Sequence, residues 1–368
     1  MYYCRKCVMP NTRPGISISW DGICEACHNY DKKDSIDWDQ RLRELEALCD
    51  RYRGCNGNGY DCAIAVSGGK DSHFQVYVMK EIMKMNPLLI SIDNWSWTET
   101  GRHNKANISE AYGCDILTFS LNKKVGRKML LKGLEKIGSP MWYVDAAIYA
   151  VPVRLTQQLN LPLLVYGENV SYEYGGHQKE ETYSAKKIFD NDVVKPVDWS
   201  LWIDDDITLK DLNCLQNPTP AEIENMEMIY LSYFVRWDSH YAYEVAKRHG
   251  FRHMDHEWQR EGTIENYNQI DSPGYLLNQW FKYPKYGHAS VTEMASRYIR
   301  AGRMTREEAI KLVNERDHKL DQKVLNDYCD FVGITVKEFW NIADRWYNEA
   351  LFEQDAFGVW HKKFVVGA

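Results

Sequence analysis

The period of apolar and polar positions changes repeatedly along this chain, and each change predicts a new element. Residues 62–66, Cys-Ala-Ile-Ala-Val, form a short apolar run between Asp61 and a Ser-Gly-Gly turn, as expected of a strand buried in a parallel sheet. From His73 to Met85 the apolar positions Phe74, Val78, Met79, Ile82 and Met83 recur at three- and four-residue spacing, which predicts a helix. Further strands are expected over 88–92, 115–119 and 161–166, and helices over 103–112, 124–137 and 141–159. Upstream, residues 37–39 open a helix with the stripe Leu42, Leu45, Leu48 and Cys49, and a loop with Gly54, Gly57 and Gly59 leads into the first strand. Downstream, 220–250 and 294–299 read as helical, and Thr305 with Glu308 forms a capping box. Phe331, Phe339, Trp340, Trp346 and Phe352 are expected in a core, a dimer face in a homo-oligomer being the alternative. This alternation gives an α/β class, a doubly wound parallel sheet, with a helical carboxyl-terminal region.

The chain has 368 residues, 44% hydrophobic and 26% charged, which suits a globular protein of about two domains. No apolar run approaches the ~18 residues of a membrane span, and the first residues do not read as a signal peptide, so a cytoplasmic location without membrane contact is expected. A net charge of −7 argues against a broad nucleic-acid-binding face. Ten cysteines in such a chain point to reduced thiols and metal, not to a disulfide framework.

Cys4-x2-Cys7 and Cys24-x2-Cys27 flank a turn-rich stretch with Pro10, Pro14, Gly15 and Gly22. Two such knuckles present four thiolates to one structural Zn²⁺, with His28 a bystander because the tetrahedron is already complete. Cys114, Cys214 and Cys329 are scattered singly. His253, Asp255 and His256 read as a solvated cluster.

Residues 67–72, Ser-Gly-Gly-Lys-Asp-Ser, lie where strand turns into helix. Gly68 and Gly69 let backbone N–H groups approach an anion, the helix start adds positive dipole, Lys70 supplies charge, and Ser67 and Ser72 supply hydroxyls. This is a nucleotide phosphate site without a Walker A pattern. Glu168, in Gly167-Glu168-Asn169 after the fourth strand, is a carboxylate placed where a metal ligand beside this loop would sit, with an ordinary turn as the alternative.

The 67–72 hexapeptide resembles the PP-loop of the ATP pyrophosphatases, whose fold is adenine nucleotide alpha hydrolase-like and which pass AMP from ATP to a substrate oxygen. The resemblance implies ATP and Mg²⁺, held by Ala65, Val66, Ser67, Gly68, Gly69, Lys70, Asp71, Ser72, Gly167 and Glu168. It also places Ile92 and Asp93 beside the adenosine, a turn or cap role being the other reading of Asp93. A downstream lysine returns to the phosphates in this family; Lys285 is the choice, against a surface role.

With the cysteine quartet, Glu173-Tyr174-Gly175-Gly176, Tyr283 to His288, Arg297, Arg300 and Met304 to Ala309, nearly the whole chain resembles the bacterial N-acetyl sugar amidotransferases of surface-polysaccharide and nonulosonate pathways. The expected regions are a zinc ribbon over 1–35, a PP-loop domain over 36–215 and a mainly helical substrate and partner region over 216–368. The implied reaction adenylates an acetamido oxygen of a nucleotide-activated sugar and displaces AMP with ammonia, giving an acetamidine. Lys70, Asp71, Glu168 and Lys285 would be catalytic; Asn169, Glu173, Tyr174, Gly175, His288, Arg297 and Arg300 would bind the sugar nucleotide. Arg297 and Arg300 suit a phosphate or carboxylate, the alternative being ion pairs on the helix surface. Position 2 is Tyr and Cys214 lacks a Gly-rich nucleophile turn, so no glutaminase is expected in the chain itself; the resemblance implies a separate glutaminase, with a cyclase-like barrel as companion, as the source of ammonia. Two rivals remain: a tRNA thiolase, which also joins a zinc ribbon to this loop, and an inactive scaffold.

Overall fold

A computed structural model of the chain describes residues 1–190, 193–194 and 198–368. Five parallel strands, β1 (Cys62–Ala65), β2 (Pro87–Asp93), β3 (Ile116–Ser120), β4 (Leu163–Tyr166) and β5 (Glu227–Tyr230), lie in the order β3-β2-β1-β4-β5. The helices around them are α1 (Glu25–Lys32), α2 (Trp38–Tyr52), α3 (Lys70–Val76), α4 (Glu99–Tyr112), α5 (Lys123–Ile137), α6 (Trp142–Gln158), α7 (Val170–Tyr174) and α8 (Ser239–Arg248). Beyond residue 260 come α9 (Pro273–Trp280), α10 (Lys282–Tyr286), α11 (Ser290–Arg300), α12 (Arg306–Arg316), α13 (Gln322–Val332) and α14 (Val336–Ala343).

The central strands are apolar at successive positions because both faces of the sheet are covered. Side chains alternate between the faces. Ile64, Leu89, Val165 and Ile229 pack on Leu45 and Leu48 of α2, Phe74 of α3, Ile108 of α4 and Val245 of α8. Their neighbours Ala63, Leu88, Leu164 and Met228 face the other way, against Val153 of α6. Ile92, at the end of β2, joins a larger core in which α5 and α6 pack on α9, α13 and α14. Phe339 is fully buried there, Phe331, Trp340 and Trp346 are partly buried against the same cluster, and Phe352 belongs to a separate one with Val291 and Val313. No helix among the described residues is long and apolar enough to cross a membrane.

Three differences from the sequence-based elements have physical causes. Residues 227–230 form a strand inside a stretch expected to be helical: parallel pairing with β4, from Leu163 opposite Glu227 to Tyr166 opposite Tyr230, overrides a pattern too short to reveal its period. The sheet therefore takes in residues beyond 215. The helix after the Ser-Gly-Gly turn starts at Lys70, not His73, and passes at Tyr77 into a π-helical stretch, Tyr77–Ile82. Near the carboxyl end, β6 (Phe352–Gln354) and β7 (Trp360–Lys362) form an antiparallel hairpin that the aromatic-rich sequence did not announce.

Strand order reverses between β1 and β4, and in open α/β sheets ligands bind at the carboxyl ends of the strands where this happens. Both Gly-containing turns singled out from the sequence, 67–72 and 167–169, leave the sheet at that crevice.

Candidate phosphate site and cysteine centre

Past β1, Val66 still donates its amide to the Ile90 carbonyl at 2.9 Å, so the chain leaves the sheet at Ser67. There it folds back on itself: the Ser67 amide donates to Ser72 Oγ at 2.9 Å and the Gly69 amide to Ser67 Oγ at 3.1 Å. Gly68 has φ +89°, and a Cβ at this position would fall 2.8 Å from Lys105 Cα and 2.9 Å from its amide nitrogen. Glycine is thus required by conformation and by the close approach of α4. Gly69 caps α3 without a side-chain bond, which leaves the first-turn amides of the helix without a capping side chain. Gly68→Ala is expected to destabilise the fold by about 1–3 kcal/mol from backbone strain at a left-handed position, with overlap against Lys105 adding to it. Urea unfolding reads this directly, and wild-type stability would contradict the assignment.

Lys70 is only 3% exposed, and its Nζ lies 2.6 Å from Asp71 Oδ2. The other Asp71 oxygen, Oδ1, is buried with no partner among the described residues. Ala63 pairs with Leu164 and Ile64 with Val165; continuing that register sets Ser67 level with Glu168. Burial pushes the Glu168 carboxyl up to about 7, the Asp71 carboxylate adds to the rise, and Lys70 and Arg297 oppose it. Lys70 with Asp71, Glu168 and Arg297, from three separate segments, therefore act on one another's charge around the ends of β1 and β4. Two carboxylates that repel each other, one with a buried oxygen unpaired among the described residues, fit an oxygen-liganded divalent cation such as Mg²⁺.

The other expected site residues divide into those near this cluster and those elsewhere. Tyr174 lies beneath the Arg297 guanidinium, 3.8 Å from ring centroid to Cζ. Asn169 caps α7, its Oδ1 accepting from the Tyr172 amide at 3.2 Å. Glu173 pairs with Lys33, whose Nζ also donates to the Trp237 carbonyl at 3.1 Å. Gly175 has φ +85°, packs against Ile16, and its carbonyl accepts from Arg13. His288 is 1% exposed, with neither ring nitrogen paired among the described residues; burial, partly offset by Glu293, pushes its pKa down to about 3. Arg300 is buried beside the cysteines rather than on the helix surface. Asp93 Oδ1 accepts from the Trp95 amide at 3.0 Å and from Trp97 Nε1 at 2.8 Å, as a turn residue does. Lys285 is not brought to the loop: its Nζ donates to the Ile137 carbonyl at 3.3 Å, at the end of α5, between the rings of Tyr286 and Trp346. There it complements a helix carboxyl terminus.

Lys33, Arg13, Lys282 and Glu293 also border these residues, and only the fold reveals their partners. The Lys33 and Glu173 side chains are 4% and 5% exposed. Lys33→Ala is expected to cost about 3–5 kcal/mol, because it leaves a buried carboxylate uncompensated. A loss below ~1 kcal/mol, the range of surface pairs, would show that Glu173 finds another partner or takes a proton.

The four cysteine sulfurs lie within 4.8 Å of one another and all four residues are buried. Cys4 Sγ is 4.0 Å from Cys27 Sγ, and Cys7 Sγ 3.8 Å from Cys24 Sγ. A tetrahedron with Zn–S bonds of about 2.3 Å has edges of roughly 3.8 Å, so the quartet fits the metal. The Cys7 and Cys24 amides donate to Cys4 Sγ at 3.4 and 3.2 Å, and the Met9 amide to Cys7 Sγ at 3.4 Å, contacts that favour thiolates. His28 turns to Asp21, 3.2 Å away, and is no ligand. Asn29 Nδ2 donates to the Tyr172 carbonyl at 3.0 Å, the Gly176 amide to Glu25 Oε1 at 3.1 Å, and Thr12 Oγ1 to the Tyr286 carbonyl at 2.6 Å. The ribbon is thereby fastened to α7 and the turn that follows it, at Tyr172 and Gly176, and to the end of α10 at Tyr286.

Residues 261–365 match the family model described as LPS biosynthesis protein WbpG-like, C-terminal domain. The chain is also similar to a Methanocaldococcus jannaschii protein, described as uncharacterized protein MJ1599, with 26% identity over 171 residues. That alignment covers 46% of this chain and 60% of the relative, so the chain spans less than two thirds of that protein's length. The first match supports a biosynthetic role in surface glycans, and it falls on the segment that carries His288, Arg297 and Arg300.

Proposed function

We propose that the chain is an AMP-forming amidotransferase that converts an acetamido group of a nucleotide-activated sugar to an acetamidine, in surface-glycan biosynthesis. The observation that carries this reading is the meeting of an amide-rich turn, Lys70, Asp71 and Glu168 with Arg297, an arginine supplied by the segment that matches a lipopolysaccharide-biosynthesis family. Residues 36–215 would form most of a PP-loop ATP pyrophosphatase domain in the cytoplasm, and 216–368 would serve the substrate and partners.

An amide oxygen is a poor leaving group and needs activation. In the proposed reaction the acetamido oxygen attacks the α-phosphorus of ATP, the α–β bridging bond breaks, and pyrophosphate departs. The protein's contribution is alignment and charge neutralisation. The loop amides and Lys70 bind the departing phosphates, and Arg297, set on the Tyr174 ring, adds positive charge beside them and orients the anionic sugar nucleotide. Ammonia then adds at the imidate carbon, AMP leaves with the former amide oxygen, and a proton is lost to give the amidine. Asp71 and Glu168 would hold Mg²⁺, whose contribution is to offset polyphosphate charge. Zn²⁺ in the cysteine quartet would be structural. A separate glutaminase with a cyclase-like barrel would supply the ammonia.

The test is to incubate the chain with ATP, Mg²⁺, ammonium and a panel of nucleotide-linked acetamido sugars. The reading predicts a product one mass unit lighter than one of the sugars, with AMP and pyrophosphate formed alongside it. Nucleotide turnover independent of every sugar, without an amidine, would overturn it.

A further inference from the structure

Glu293 on α11 meets cations from two other segments. Its Oε1 lies 2.8 Å from Lys282 Nζ and 3.7 Å from Arg13 Nε. Burial opposes its ionisation, yet Lys282 and Arg13 hold its carboxyl below the usual range. Arg13 comes from the cysteine ribbon, and its guanidinium also donates to the Gly175 carbonyl. One side chain thus joins the ribbon, the loop after β4 and α11.

Glu293 and Arg297 are four residues apart on one helix, the spacing at which a carboxylate and a guanidinium pair directly. Arg297 instead lies flat over Tyr174, six residues after Glu168 in the chain. We infer that Arg13 is a positioning residue of the phosphate site: by engaging Glu293 together with Lys282, it leaves Arg297 on Tyr174, facing Glu168. The inference rests on the phosphate-site reading above and adds a residue of the ribbon to it. Without the Arg13 charge, Glu293 draws Arg297 along the helix and away from the crevice.

Arg13→Gln keeps an amide donor for the Gly175 carbonyl and removes the charge facing Glu293; Arg13→Lys keeps a charge. Metal content and urea unfolding establish that each variant is folded. Modification of Arg297 by phenylglyoxal, followed by peptide mass spectrometry, needs no ligand. It is expected to be faster in Arg13→Gln by about tenfold, the scale of a ~1.4 kcal/mol change in arrangement, and close to wild type in Arg13→Lys. Binding of inorganic pyrophosphate supplies the second arm: Arg13→Gln weakens it, and has no further effect when Arg297→Ala is already present. An unchanged Arg297 modification rate in metal-replete Arg13→Gln, or independent addition of the two substitutions, would overturn the inference. If the intact chain does not bind pyrophosphate, the phosphate reading falls, and the modification rate alone decides the role of Arg13.

Discussion

Lys70→Ala is expected to lower sugar-dependent pyrophosphate release by roughly 10²–10³-fold, the cost of losing one preorganised charge donor from a site that stabilises a transferring group. The effect should be large because Lys70 is buried at the helix start and is the cation paired with Asp71. Removing it leaves Asp71 and Glu168, two carboxylates, opposed chiefly by Arg297. The departing pyrophosphate would then meet net negative charge where it now meets an ammonium. Folding should survive, since the Asp71 side chain is 32% exposed and water can solvate it. Activity within ~3-fold of wild type, against an expectation of at least ~100-fold, would remove Lys70 from the chemistry.

Withdrawing metal from the cysteine centre is expected to disorder the ribbon and, with it, the loop after Glu168. Around its four cysteines the ribbon buries only Met9 and Ala26, with Ile16, Ile18 and Ile23 partly so, while Tyr3 and Val8 are buried in the separate cluster with Val291 and Val313. A unit this small draws its stability from the ion, about 10 kcal/mol or more in structural zinc peptides. Arg13, Glu25 and Asn29 lose their hold on Gly175, Gly176 and Tyr172 once the knuckles open. Hydrogen exchange after chelation should therefore show loss of protection over 169–176 together with 1–35, while β1, β2 and β3 stay protected. Protection of 169–176 that persists in metal-free protein would show that this loop stands without the ribbon.

Sequence carried the parts of this architecture that depend on local chemistry. The apolar runs at β1, β2 and β4, the cysteine knuckles, the capping box at Thr305 and the Ser-Gly-Gly-Lys-Asp-Ser turn all follow from the nearest few residues. What depends on distant pairing stayed hidden. The four residues of β5 become a strand only because β4 is beside them. Arg300 and Lys285 carry the same residue types as phosphate ligands, yet one packs beside the cysteines and the other on a helix terminus. Arg13 and Lys33 lie in or just after the ribbon, and their charges face partners more than a hundred residues away. The two short Gly turns were legible as turns; that β1 and β4 are adjacent, and so place both turns in one crevice, is a property of strand order.

The central claim is that AMP is transferred to an acetamido oxygen held at the mouth of this crevice. Its most direct test is a turnover with substrate sugar carrying oxygen-18 in the acetamido carbonyl, followed by mass spectrometry of the AMP released. The account predicts that the heavy oxygen leaves the sugar and appears in AMP, one atom for each amidine formed. Unlabelled AMP formed alongside amidine, or label found only in phosphate, would contradict it.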